Sequence, residues 1–376
     1  RKLRIIFSRG GRLFRIPTAT VVAGCLLIPL ALVMTTIRTM PRLDEAAVPV
    51  TGTPEIHPSQ HNTPLTPQQQ MIPIQVEGET TTLPSAKSLL MMPPPFEDSQ
   101  IIKLTDDLIK SPNTVVTGYF RVPSKYHPEK YDNWMKNMLS LQDAMIIFTQ
   151  PDIVDQIKKF RDHAKNRTAI IPLEINQLPY ATLYSQQFWE DQLERDPEKR
   201  IHRSYQLFWI WLSKSWLTTQ AIRLNLYESD LFIWSDIGCF RDKKYNFEEL
   251  VRHRDLVPPT EMMHMAHHEP NPPAEELFND KYKRKPNFYH SGSLFAGYRD
   301  TWIKFHEYFL DTIDKFLAKK MIIVEDQAVL QSVCLSHPEI CAYVPFNQVN
   351  DNHYFGLRYV LHNGGNYRLW RYQKDN

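Results

Sequence analysis

The sequence predicts an α/β fold, a mostly parallel sheet flanked by helices, carried behind an N-terminal apolar segment and a proline-rich stem. Three observations predict it. From about residue 112, short apolar runs alternate with segments of helical spacing, and such alternation demands crossover connections and parallel strands. Ile16 to Ile37 contains no charged residue. Between these regions, prolines recur and Phe96 is the only Phe, Tyr or Trp from 41 to 100.

Residues 1–15 hold Arg1, Lys2, Arg4, Arg9, Arg12 and Arg15 without an acid. As a helix, 16–37 spans roughly 33 Å, enough for a bilayer core. It is longer than the apolar core of a cleaved signal peptide, and no small-x-small cleavage site follows. The expectation is a basic cytoplasmic tail (1–15), a retained transmembrane signal anchor (16–37), a disordered stem (38–111) and a head (112–376). Basic residues before the span keep that end cytoplasmic, which makes a type II protein with a lumenal head. The stem is too poor in apolar side chains to offset its chain entropy. A net charge of +2 gives no reason to expect nucleic acid as a partner.

Within the head, Val115–Tyr119, Ala144–Thr149 and Ala169–Leu173 read as strands, with helices at Glu129–Leu141 and Ile153–Ala164 between them. A helical stretch follows at Leu183–Glu194. Tyr205–Trp216, rich in Trp and interrupted by Lys214, reads as a helix packed in the core. Leu231–Trp234 is a strand ending at Asp236, and Phe288–Phe295 is another, broken by Gly292. Trp302–Leu317 is an amphipathic helix. Ile322–Val324 reads as a strand leading into Glu325, Asp326 and a helix to Cys334; Ala342–Phe346 is the last strand. Of the head's cysteines, Cys239, Cys334 and Cys341, the pair 334/341 is the expected bridge in an oxidising lumen, with three buried thiols as the alternative. Asn166-Arg167-Thr168 is the one glycosylation sequon and fits a lumenal head.

Ligands of open α/β sheets bind beyond the carboxyl ends of the strands. Asp236 stands at such an end, with Gly238 and Arg241 after it. A strand-end carboxylate suits a hard divalent ion that grips a diphosphate, although a plain strand exit explains it too. Gly292 and Gly297 allow a ligand to approach the backbone, or mark a bulge. Glu325 and Asp326 are either helix-capping acids or a carboxylate base in the same crevice. Glu261, His264, His267 and His268 look metal-like, but they lie between Pro258-Pro259 and Pro270 and read as a solvated loop, as does Lys281–Lys285. His353 and His362 are late histidines able to complete a metal shell.

The stretches "VVTGYFRVPSKY", "NMLSLQDAMIIFT", "LFWIWLSK", "DLFIWSDIGCFRD" and "IVEDQAVL" resemble the HtrL/YibB family over about residues 112–350. That family resembles GT-A type (Rossmann-like) nucleotide-diphospho-sugar glycosyltransferases, in which an acidic strand-end motif holds Mn²⁺ and the donor diphosphate. The resemblance implies a hexosyltransferase-like enzyme, and the expected anchor places it in the Golgi or ER membrane. It would move a sugar from a nucleotide-sugar donor to a glycan, glycoprotein or glycolipid hydroxyl. Asp236 and His362 would hold the metal. Thr117, Gly118, Tyr119, Arg241, Gly292 and Gly297 would hold the donor, and Asp326 or Glu325 would act as base. Gly238 stands where the motif has its second acid, and this favours the alternative of a non-catalytic sugar- or nucleotide-binding module of the same fold.

Overall fold

The computed structural model describes residues 71–76, 79–242, 247–266 and 290–372. The expected tail and membrane span (1–37), His267, His268 and the Lys281–Lys285 run lie outside the described residues. Among the described residues, no helix is long and apolar enough to cross a membrane.

A two-stranded antiparallel ribbon comes first, β1 (Met71–Val76) with β2 (Glu79–Pro84). The main sheet holds β3 (Ile102–Lys103), β4 (Asn113–Tyr119), β5 (Met145–Thr149), β6 (Thr168–Pro172), β7 (Leu231–Ser235), β8 (Met262–Ala266), β9 (His290–Tyr298) and β10 (Cys341–Pro345). Its order is β10-β8-β9-β7-β4-β5-β6-β3. β4, β5, β6 and β7 run parallel, as do β8 and β10, while β9 runs antiparallel between β7 and β8 and β3 antiparallel on the edge. The expected mostly parallel α/β sheet is therefore present, with one reversed strand near its centre.

Both faces are covered. One carries the Gln206–Leu224, Arg299–Ala318 and Asp326–Ser336 helices over Phe148, Trp216 and Trp302. The other carries the Pro128–Leu139, Val154–Phe160 and Gly356–Asn363 helices over Met145, Ile147 and Ile233. A strand buried on both faces needs no alternation, so β5 reads as the unbroken run MIIFT. The Gln206–Leu224 helix has apolar residues nearly all round because it lies inside the structure, with Phe208, Leu212, Trp216 and Leu217 buried.

Three expectations need correction. Ile322–Val324 pairs with no strand; its backbone is held by the Gln192 amide, whose Oε1 accepts the Ile323 N–H at 2.8 Å. Within the supposed loop, Met262–Ala266 is β8, wholly buried, which a Met- and His-rich text conceals. The C-terminal part of the expected stem packs on the head. Ala86, Leu89 and Phe96 are buried, the Ala86 N–H donates to Asp314 at 2.5 Å, and Lys87 pairs with Asp311 at 2.8 Å. β3, also inside 38–111, joins the sheet edge. Prolines permit an extended strap as readily as a free tether, because neither needs a helical N–H.

Removing this strap uncovers core. Phe96→Ala should cost about 3 kcal/mol, and a chain beginning at 101 should melt well below one beginning at 79. Denaturant unfolding of the two fragments checks this; equal midpoints would show that 79–100 is only a tether.

Candidate functional site

The chain leaves β4 toward β5 and β6 on one side, while β7 pairs with β4 on the other. At such a reversal the loops diverge and leave a crevice beyond the carboxyl ends. A cleft of about 500 Å³ opens here, walled by Tyr119 after β4, Asp236 and Arg241 after β7, Gly292 at the start of antiparallel β9, and Asp326.

Lys214 organises its floor. This side chain is buried, and its Nζ lies 2.8 Å from Asp236 Oδ1, 2.7 Å from Asp326 Oδ2 and 2.7 Å from the Gly292 carbonyl. The ammonium thus hydrogen-bonds the Gly292 carbonyl and forms ion pairs with both carboxylates. Burial alone would lower the Lys214 pKa, but the Asp236 and Asp326 charges outweigh it and hold the ammonium above its ordinary range. Asp236 also accepts the Trp234 indole N–H at 2.8 Å, and its backbone N–H donates to Ser293 at 2.7 Å. Burial, with a lesser push from Asp236, raises the Asp326 carboxyl to about 6 against the pull of Lys214.

Gly292 is explained by the same cluster. A Cβ there would stand 2.6 Å from both carboxylate oxygens of Asp326. Glycine at this position makes room for Asp326 rather than for a ligand.

Arg241 stands at the cleft mouth. Its guanidinium lies 4.3 Å from the Trp134 ring centroid, 4.8 Å from Phe355 and 5.3 Å from Tyr126, and its Nε donates to the Gly238 carbonyl at 3.1 Å. No carboxylate pairs with it among the described residues, and it is exposed. The rings fix a cation whose remaining N–H groups face solvent.

A second corner is acidic. Glu325 is buried, and one of its carboxylate oxygens, Oε2, has no hydrogen-bond partner. Its other oxygen lies 3.5 Å from His202 Nε2, and His202 Nδ1 is 2.5 Å from Asp196. Glu198 completes the group. Burial, then the Glu198, Asp326 and Asp196 charges, hold the Glu325 acid well above its ordinary range.

Of the sequence-predicted residues, Asp236, Asp326, Glu325, Arg241, Gly118, Tyr119 and Gly292 meet at this cleft. Thr117 points to the covering Pro128–Leu139 helix, toward Met138. Gly297 sits opposite Phe232, at the other end of β9, where a Cβ would strike Met262 Sδ at 2.4 Å. His362 is not brought to Asp236: it stacks on Phe247 at 3.9 Å and meets the Glu249 carbonyl at 2.5 Å. His353 is exposed beside Tyr354. Asp236 thus lacks the expected partner for a divalent ion. Its Oδ1 is taken by Trp234 and by an ammonium that would repel a dication, so this donor set does not fit one. The residues missed in the sequence are Lys214, Glu198 and His202. For Lys214 a signal existed: a lysine inside an aromatic helix must find a partner.

Two groups of potential metal ligands occur among the described residues, Glu198/His202/Glu325 and His264/His290/Cys334. Cys334 is joined to Cys341 in the expected disulfide, with Cys239 a buried free thiol, so the second group offers two imidazoles and no thiolate. The metal-like Glu261 instead pairs with Arg371 at 2.6 Å.

The fold and the cleft define a doubly wound α/β protein with a charged cleft at its switch point. The family described as "Bacterial protein of unknown function (HtrL_YibB)" matches residues 111–348, more than half of the sequence, and the chain belongs to that family. Among solved structures it is similar to the apo crystal structure of mouse xyloside xylosyltransferase 1. That likeness has a TM-score of 0.35 at 10% identity and covers 61% of this chain and 83% of the other. No curated protein matches it in sequence.

Lys214→Met should leave Asp326 as an uncompensated buried charge and cost about 3 to 5 kcal/mol. Asp236→Asn leaves the Lys214–Asp326 pair neutral and should cost less, about 1.5 kcal/mol. Gly292→Ala should fall with Lys214→Met. Urea denaturation ranks the three, and a neutral Lys214→Met would remove the constraint argued here.

Proposed function

We propose that this protein is a glycosyltransferase that moves a hexosyl group from a nucleoside-diphosphate sugar to a hydroxyl of a glycan, glycoprotein or glycolipid. The observation that carries the reading is the pairing of Asp236 and Asp326 through Lys214, across one cleft from the ring-held Arg241. Breaking a sugar–diphosphate bond develops negative charge on the leaving group and oxocarbenium character on the sugar. Arg241 offers fork-shaped donors to the departing diphosphate. Tyr119, Tyr126 and Tyr131 line the cleft and give flat apolar surface for a base, and Gly118 opens the chain end beside them. Asp326 takes the proton from the acceptor hydroxyl; a carboxyl raised to about 6 is a stronger base than an ordinary aspartate. Asp236, one-third exposed, orients Lys214 and faces the developing positive charge of the sugar.

Gly238, standing in place of a second acid, favours a second reading: a module of the same fold that binds a nucleotide sugar without turnover. A thermal-shift screen of the protein against nucleotide sugars identifies the donor. Arg241→Ala should then weaken donor binding about 10-fold or more. Asp326→Asn should keep donor binding and lower turnover by about 10²- to 10⁴-fold. Donor binding without any transfer by the wild type would select the module instead, and no binding of any nucleotide sugar would end both readings.

The proposal includes topology: a type II anchor at 16–37 in the Golgi or ER membrane, with the head in the lumen. The basic residues ahead of an uncharged span support it, as does a disulfide in the head. Asn166 is exposed on the head. In intact cells it should carry a glycan removable by endoglycosidase, and the head should resist protease added outside sealed microsomes. Digestion of the head there would reverse the orientation.

A further inference from the structure

Among the described residues, the only basic side chain in the acidic corner of the cleft is the His202 imidazole. Glu325 Oε2 is buried without a hydrogen bond, and among the described residues no lysine or arginine pairs with Glu325 or Glu198. Lys214, the ammonium of the floor, is engaged instead by Asp236, Asp326 and the Gly292 carbonyl. Carboxylates gathered in this way are unfavourable unless protons or a cation intervene.

The geometry around His202 points to a cation. Asp196 holds Nδ1, which leaves Nε2 directed at Glu325 Oε1, 3.5 Å away. A carboxylate behind a histidine, fixing the ring so that the other nitrogen is free to coordinate, is the usual support of a metal-bound imidazole. The ligand atoms of Glu198, His202 and Glu325 all lie within 4.8 Å of one another. Ligands about 2.1 Å from a shared ion stand roughly 3.0 to 3.4 Å apart, so small side-chain rotations close the site. Trp211 packs edge-on against the His202 ring at 5.0 Å and limits its motion. Glu198 is exposed on the cleft side, which leaves the remaining coordination positions to the ligand.

We propose that Glu198, His202 and Glu325 bind one divalent cation of the Mn²⁺ or Zn²⁺ class, and that this corner, not Asp236, is the metal site of the cleft. One imidazole and two carboxylates suit borderline and hard divalent ions alike. When bound, such an ion supplies positive charge for diphosphate oxygens. The role in donor binding rests on the glycosyltransferase reading; the ion site itself does not.

The test uses the full chain, stripped with chelator and titrated with Mn²⁺ alone and with Zn²⁺ alone, without nucleotide, by calorimetry and by loss of the free Mn²⁺ resonance signal. One ion per chain is expected with at least one of the two metals. Affinity should fall at least 10-fold in Glu198→Gln and in Glu325→Gln, fall about 10-fold in Asp196→Asn, and stay within 3-fold in Asp236→Asn. Glu198 is exposed, so Glu198→Gln keeps its fold and decides the matter if Glu325→Gln does not. Absence of binding by the wild type overturns the proposal, as does affinity unchanged in Glu198→Gln, or an ion lost with Asp236→Asn. Since no nucleotide is present, failure here leaves the transfer reading untouched, and an inactive protein that binds the ion fails only that reading.

Discussion

A buried ammonium has one tolerable arrangement, in which every N–H is taken and the charge is balanced. Lys214 meets it only where the Gln206–Leu224 helix, the end of β7, the start of β9 and the first turn of the Asp326–Ser336 helix converge. These four segments come from distant parts of the chain. If any slid by one residue, a charge would be buried without a partner, at a cost comparable to a sizeable part of a domain's stability. The Cys334–Cys341 disulfide ties the far end of the Asp326–Ser336 helix to β10, so that helix is fixed at both ends. Gly292 follows from the same requirement: the carboxylate that balances Lys214 occupies the space a side chain on β9 would take.

The switch point then divides the cleft into two electrical halves. On the β4 and β7 side, Arg241 rests among Tyr126, Trp134 and Phe355, a cation supported by ring faces and left unpaired. On the β9 side, Glu325, Glu198 and Asp196 gather around His202. Lys214 lies beneath the boundary and offsets one of the two carboxylate charges of the floor. A ligand with an anionic group and a polyhydroxyl group fits such a gradient. The anion goes to the arginine side, and hydroxyls, which carboxylates accept as hydrogen-bond donors, go to the acid side.

Much of this was legible in the chain. Runs such as MIIFT and LFIWS announce strands buried on both faces, and the acids after them mark the sheet's carboxyl ends. Asp236, Asp326 and Arg241 were found by position alone. Lys214 was not, because a lysine among tryptophans reads as an interruption of a core helix until its partners are known, and those partners lie on other elements. His202 and Glu198 sit on a short helix with no periodic pattern to flag them. β8 was hidden because MMHMA lacks the β-branched residues that usually signal a strand. The strap at 79–100 reads as a tether because proline density records the absence of helix, not the absence of packing. The residues from 1 to 70 carry the membrane expectation on sequence alone.

The missing second acid after β7 has a physical reason. At Gly238 a Cβ would come within 3.3 Å of the Trp134 ring, the same ring that supports Arg241. An aspartate there would press on that support and place a third carboxylate beside a lysine whose charge is already balanced by two. It would also sit next to an arginine that the cleft keeps unpaired. Glycine keeps the ring under Arg241 clear and adds no further negative charge to the floor. The strand-end acid therefore serves the buried lysine, and the carboxylates still wanting a counter-charge are those around His202.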